Sequence, residues 1–171
     1  MEGQNYDKLT EQALKSLIDG NLDKAIIELN EAIKLNPNGA SAYNSRAMAY
    51  TQSGQFDLAI NDYSKAIELD PNDSSNYCLR GFLLSQSKKY EQSIKDFTES
   101  IRIDPNYYLS YMGRAMAYSA KNQDDKARKD LEKVISLNPS EPVVISDAKN
   151  MLSKMDSANG MWKDTKPPSF S

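Results

Sequence analysis

The chain has no histidine and a single cysteine, Cys78, in 171 residues. One cysteine closes no intramolecular disulfide, so no disulfide framework holds the fold. Zinc draws on cysteine and histidine, and the ligand count is too low for a structural zinc. Ser-His-Asp and Cys-His catalysis both lack their base. Glycine is scarce, at seven residues, and neither a P-loop nor a dinucleotide-binding glycine motif occurs. Basic residues do not outnumber acidic ones: 21 against 24 gives a net charge of −3. That balance argues against a protein that coats nucleic acid phosphates. No apolar run is long enough to cross a bilayer, and the opening MEGQNYDKLTEQ carries no signal-peptide core. These absences lead to the expectation of a cytoplasmic protein that is not an enzyme and carries no cofactor and no metal.

What is present is a repeat. Prolines stand at 37, 71, 105 and 139, a constant step of 34. Small residues follow the same step at Ala13, Ala47, Gly81 and Ala115, and at Ala25, Ala59, Ser93 and Ala127. One column is isoleucine throughout: Ile33, Ile67, Ile101 and Ile135. Within a unit the apolar spacing is helical, as in Tyr43, Ala47 and Tyr50, then Phe56, Ala59, Ile60, Tyr63 and Ile67. Each unit therefore reads as two short helices. The turn between them falls at Gly20, Gly54, Lys88 and Asn122. Gly and Asn suit a left-handed helix end there, and Lys88 should carry modest strain. Each second helix ends before Asn-Pro or Asp-Pro, because proline pushes the preceding residue out of helical geometry.

These residues resemble the tetratricopeptide repeat, a helix–turn–helix family with a 34-residue period. The likeness is greatest in the second unit, with Tyr43, Ala47, Tyr50, Gly54, Phe56, Ala59, Tyr63, Ala66 and Pro71. The resemblance implies an all-α, right-handed α-solenoid of four units, 6–39, 40–73, 74–107 and 108–141, with a capping helix over 141–155. Residues 1–156 then form the repeat domain. Ser140 can cap the last helix, and its apolar face reads Val144, Ala148, Met151 and Met155. Residues 157–171 read as a disordered polar tail in which Met161 and Trp162 either hang free or dock on an apolar surface.

Two polar columns accompany the apolar ones. Arg46, Arg80 and Arg114 each precede Asp62, Asp96 and Asp130 by 16 residues. Either the pairs tie the two helices of a hairpin together, which is the reading preferred here, or the arginines form an anion-binding row. The first unit has Gln12 and Glu28 at those positions.

In the resembled family the first helix of each hairpin lines a concave face. Carried over residue by residue, that face has a spine of Leu14, Met48, Phe82 and Met116, flanked by Leu17, Asn44, Gln52, Leu79, Gln86 and Met112, with Cys78 as a small groove residue. Charges are nearly missing from these columns, whereas the second helices mix them. The alternative is that some of these residues are core between hairpins. An apolar groove rimmed by Asn, Gln, Ser and Thr suits an apolar or amphipathic peptide, and methionine suits a surface that must adapt. The family's clamp for a C-terminal carboxylate needs Lys and Arg at set positions. This chain offers Thr10, Leu14, Ser45, Ser75 and Leu79, or, one unit on, Asn44, Met48, Leu79, Leu109 and Gly113. No cation is among them, so a buried carboxylate would go unpaired. The expected function is a protein-protein adaptor or scaffold for a protein or peptide partner, with no nucleic acid and no membrane insertion. Two further uses of the same face stay open: self-association into a homo-oligomer, and chaperoning of a hydrophobic client.

Overall fold

A computed structural model describes residues 2–137 and 139–163, with side chains from 5 to 157 apart from residue 138. Among the described residues there are nine helices and no strand: α1 (Glu2–Ile18), α2 (Leu22–Leu35), α3 (Ala40–Gln52), α4 (Phe56–Leu69), α5 (Ser74–Gln86), α6 (Tyr90–Ile103), α7 (Tyr108–Ala120), α8 (Asp124–Leu137) and α9 (Pro142–Lys163). They pair as four hairpins, each packed on the next, with α9 against α8. The architecture is the all-α repeat solenoid that the period predicts.

The turns form where the shared column places them. Gly20 and Gly54 have φ of 74° and 75°, and Lys88 and Asn122 follow at 58° and 57°. Lys88 is thus held in the left-handed region, with the modest strain foreseen for it. Between hairpins, Asn36, Asp70 and Asp104 each accept the backbone N–H two residues on, at 2.9–3.2 Å. The Asx-Pro-Asn segment is therefore a turn that closes on its own side chain while proline stops the helix.

Packing in the seams depends on small residues. Ala13, Ala47 and Ala115 are fully buried. Gly81 occupies the same column because the Phe97 ring presses on it. A Cβ built there would lie 2.9 Å from Phe97 Cε1. Phe97 is wedged between Gly81 and Gly113, and it meets Phe82 edge-on with centroids 5.0 Å apart.

The arginine and aspartate columns meet, as the preferred reading holds. Arg46 donates from Nε and Nη2 to Asp62 at 2.7 and 2.8 Å. Arg80 does the same to Asp96, and Arg114 to Asp130. Each arginine also reaches back across the hairpin boundary from Nη1: Arg46 to Asn30 at 2.6 Å, Arg80 to Ser64 and Arg114 to Thr98 at 3.0 Å. Each guanidinium therefore binds three helices. Tyrosine rings flank it, with Tyr43 and Tyr50 at 5.7 and 5.8 Å from the Arg46 centre. Hydrogen bonding to the aspartate raises the already high pKa of Arg46 and Arg80. Desolvation cancels much of such a pair's Coulomb gain, so its larger effect is to fix how one hairpin sits on the next. In the first unit Ser16, not Gln12, donates to Glu28 at 2.9 Å.

The two ends of the array differ from its middle. Ala42, Asn76 and Ser110 are buried against the preceding hairpin, as are Ala49, Leu83 and Ala117. The first unit has Lys8 and Lys15 in those columns, and both are exposed. Packing any element on that face would have to desolvate both amines. At the other end, Val144 donates its N–H to the Glu141 carbonyl at 3.1 Å, so α9 starts with Pro142 in its first turn, one residue later than a Ser140 cap implies. Arg128, where other units have isoleucine, faces α9 and binds Asp156 at 2.6 Å. The helix runs to Lys163, eight residues past the predicted end at 155, so the segment read as tail from 157 begins as helix. Residues 164–171 and the side chain of Trp162 lie outside the described residues.

Candidate functional groove

First helices touch across hairpins, α1 to α3 and α5 to α7, and no comparable contact joins second helices. The stack is therefore tighter on this side at the first and third hairpin boundaries, which bends the array towards the side of α1, α3, α5 and α7. The groove floor comes from these helices, and its chemistry from their sequences. Over Ala40–Gln52, Ser74–Gln86 and Tyr108–Ala120 the charged residues are Arg46, Arg80 and Arg114. All three are tied to aspartates of the following helix, on the opposite side. The middle of the groove thus has no free charge among the described residues.

Three members of the predicted spine are open to solvent: Leu14 at 44%, Met48 at 37% and Met116 at 51%. Gln52 and Gln86 are exposed beside them, and Asn44 and Met112 are half-buried. Asn44 donates its amide to Asn76, which in turn donates to Asp73 at 3.0 Å. Part of the polar rim is therefore a fixed network. Ile18, at the N-terminal end of the same side, is largely exposed.

Three other residues belong wholly or partly to the core. Leu17 is 6% exposed and packs with Ala25 and Ala49 between the first two hairpins. Leu79 is half-buried against Tyr63 and Leu83. Phe82 is half-buried because Gly113, unlike Leu79 in the same column, leaves room for its ring to lean on Phe97. Cys78, read as a groove residue, is fully buried, and burial pushes its thiol up to about 11. A thiol so placed is neutral and inert at ordinary pH.

The groove deepens at its C-terminal end into a cleft of about 450 Å³ between α7 and α9. Leu109, Met112 and Met116 form one wall, Val144 and Met151 the other, and Asp147, Asn150 and Lys154 the rim. The sequence signal for this cleft was the period itself. At a step of 34 α9 extends the first-helix columns, but its apolar positions read as a closing face alone.

A helical repeat with one uncharged, partly apolar concave face is a protein-interaction scaffold by class. Family comparison gives the identity. Models described as Tetratricopeptide repeat match residues 40–73, 63–95, and 17–38 with 108–141, together more than half of the chain. The chain belongs to the tetratricopeptide repeat family. No curated protein matches its sequence. Among solved structures, a MamA protein is similar with TM-score 0.77 and 18% identity, covering 97% of this chain and 100% of that one. The pilF protein of Pseudomonas aeruginosa is similar with TM-score 0.80 and 22% identity, over 91% of this chain and 71% of that one. The first TPR of Spaghetti, bound to the Hsp90 peptide SRMEEVD, is similar with TM-score 0.65 and 26% identity, over 71% of this chain and 93% of that one. The likenesses to MamA and pilF bear on fold.

Proposed function

We propose that this protein is a non-enzymatic adaptor that takes an apolar or amphipathic segment of a partner protein into its concave groove. The observation that supports this reading is the chemistry of α3, α5 and α7. Their arginines are used up in structural pairs, while Met48 and Met116 stay exposed on the groove side. Solvent-facing methionines in an uncharged trough are costly to hydrate and cheap to cover. The Hsp90 peptide held by the Spaghetti domain has two Glu residues and ends in Asp. A segment of that kind finds no unpaired cation among the described residues of α3, α5 and α7, so an acidic C-terminal tail is a poor ligand here. The likeness to that domain supports peptide binding as a use of the fold, not this peptide.

The test is partner capture by the wild-type chain against Met48→Asp and Met116→Asp, each checked for helicity. Both residues are exposed enough to hydrate a carboxylate in the free protein, so binding should fall while the circular dichroism spectrum stays. Phe82→Asp is the wrong probe, because Phe82 supports Phe97. Retained capture by both methionine variants would overturn the reading. Light scattering on the same samples separates a hetero-partner from a second copy. A dimer that Met48→Asp dissociates would show that the groove serves self-association instead.

A further inference from the structure

The arginine column has one exception, in the first unit. In the other three units a guanidinium from the first helix is held by an aspartate of the second and by a polar side chain of the preceding hairpin. In the first unit the carboxylate column holds Glu28 and the arginine column holds Gln12. Gln12 is exposed, and the hydrogen-bond donor to Glu28 is Ser16, 2.9 Å from Oε2. Beside them lies a cavity of about 340 Å³. Its lining matches the cavity around the Arg80–Asp96 pair residue by residue. Gln12, Ser16, Lys24 and Glu28 stand 80 − 12 = 68 residues, two periods, before Arg80, Leu84, Gln92 and Asp96. The first unit thus repeats a guanidinium-binding site without supplying the guanidinium. We propose that this cavity receives an arginine side chain of a partner protein, paired with Glu28, at the N-terminal edge of the array and away from the groove.

Glu28 has capacity to spare. A carboxylate accepts about four hydrogen bonds. Among the described residues Glu28 takes one, from Ser16. Its Oε1 has Lys24 Nζ at 3.8 Å, beyond hydrogen-bond reach, and the Lys24 side chain is 68% exposed where that of Glu28 is 14% exposed. A guanidinium offers two parallel bonds, as Arg46, Arg80 and Arg114 do at 2.7–2.8 Å, and an ammonium does not. Glutamate is also one methylene longer than the aspartates of its column, so its carboxylate reaches further towards a group arriving from outside. The way in is open on two counts. The third ligand of each filled site belongs to the preceding hairpin, and α1 and α2 have none before them among the described residues. Ser16 also stands in the column of Tyr50 and Tyr118, so a small donor replaces a ring wall. Lys15 and Lys24 on the lining balance Asp19 and Glu28, so an incoming cation meets no net repulsion. The arginine arrives on an extended arm, because a packed helix would bury the exposed Lys8 and Lys15.

NMR of the full chain tests this with methylguanidinium at millimolar concentration, against methylammonium. The expected result is a saturable shift of the Glu28 side-chain carboxyl carbon and the Ser16 amide with methylguanidinium. Methylammonium should bind about tenfold more weakly, for want of one charge-assisted bond. Glu28→Gln should abolish the response. Gln12→Arg fills the cavity from within, so it should abolish the response too while raising the urea midpoint, which shows that the fold is kept. No saturable shift, equal binding of the two cations, or a Gln12→Arg response like that of wild type overturns the proposal. A blocked peptide with a central arginine, titrated against free arginine, separates the two sources of the group. Tighter binding of the peptide supports a partner's arginine. Peptide binding no tighter than that of free arginine assigns the cavity to a small guanidino compound and overturns the partner. Loss of partner capture in Met48→Asp leaves all of these readouts unchanged, so the cavity and the groove fail separately.

Discussion

Gly113→Ala sets helix propensity against packing at one atom. Gly113 lies inside α7, where alanine is worth about 1 kcal/mol over glycine in an open helix. Here the new Cβ would stand 2.5 Å from Phe97 Cε1 and 3.0 Å from Phe82 Cε1. An ordinary contact begins near 3.4 Å, so the ring must retreat by most of an ångström. It has nowhere to go, because Gly81 presses on its other side and Phe97 is fully buried. Overpacking of this kind costs about 1–3 kcal/mol. The structure puts the cost at the upper end, so the net expectation is a loss of about 2 kcal/mol. Urea unfolding followed by circular dichroism reads it. Phe97→Leu supplies the control, since Leu29 and Leu131 occupy the same column in other units. In that background Gly113→Ala should cost little or stabilise, because leucine vacates the space of the ring edge. A double-mutant cycle with no coupling, or a stabilising single substitution, would refute the packing argument.

Arg80→Ala leaves Asp96 buried without its partner and cuts the link to Ser64; urea unfolding should show a loss of about 3 kcal/mol, with the paired replacement Arg80→Met, Asp96→Leu losing much less. Lys88→Gly relieves a left-handed φ of 58° and should stabilise by about 1 kcal/mol in the same assay. At high pH the buried Cys78 thiol, pushed up to about 11, and the buried Tyr63 phenol, pushed up to about 12, stay protonated after the unfolded chain has ionised. The unfolded state then binds fewer protons, so stability is intact below about pH 9 and falls as pH rises towards 11 to 12. Unfolding titrations at pH 8, 10 and 11 check this, and Ellman's reagent should label Cys78 only as the chain unfolds.

The 34-residue step made most of the fold readable. It placed the turn column, including the left-handed Lys88, and it set Arg46 and Asp62 in columns 16 residues apart whose preferred reading was a pair. The third ligand of each arginine was also in the sequence, since Asn30, Ser64 and Thr98 each stand 16 residues before it. A polar column on a solvated helix is indistinguishable from ordinary surface until its neighbour across the hairpin boundary is known. The same limit explains Leu17 and Cys78. A period assigns residues to columns, but only the neighbouring helices determine which columns are covered. Phe82 turned inward for a local reason, the missing side chain at Gly113. Helix α9 outran its prediction because the apolar pattern stops at Met155 while the helix does not.

The central claim is that partners enter by the concave face. A photo-crosslinking residue placed at Met48 or Met116, against the same residue at Ile27 or Leu58, tests it most directly. Ile27 and Leu58 are also exposed and apolar, but they belong to second helices, on the other side of the array. The account predicts one partner band from positions 48 and 116, lost when unlabelled wild-type protein competes, and none from 27 and 58. The same competed band arising from 27 or 58 and not from 48 or 116 would contradict it.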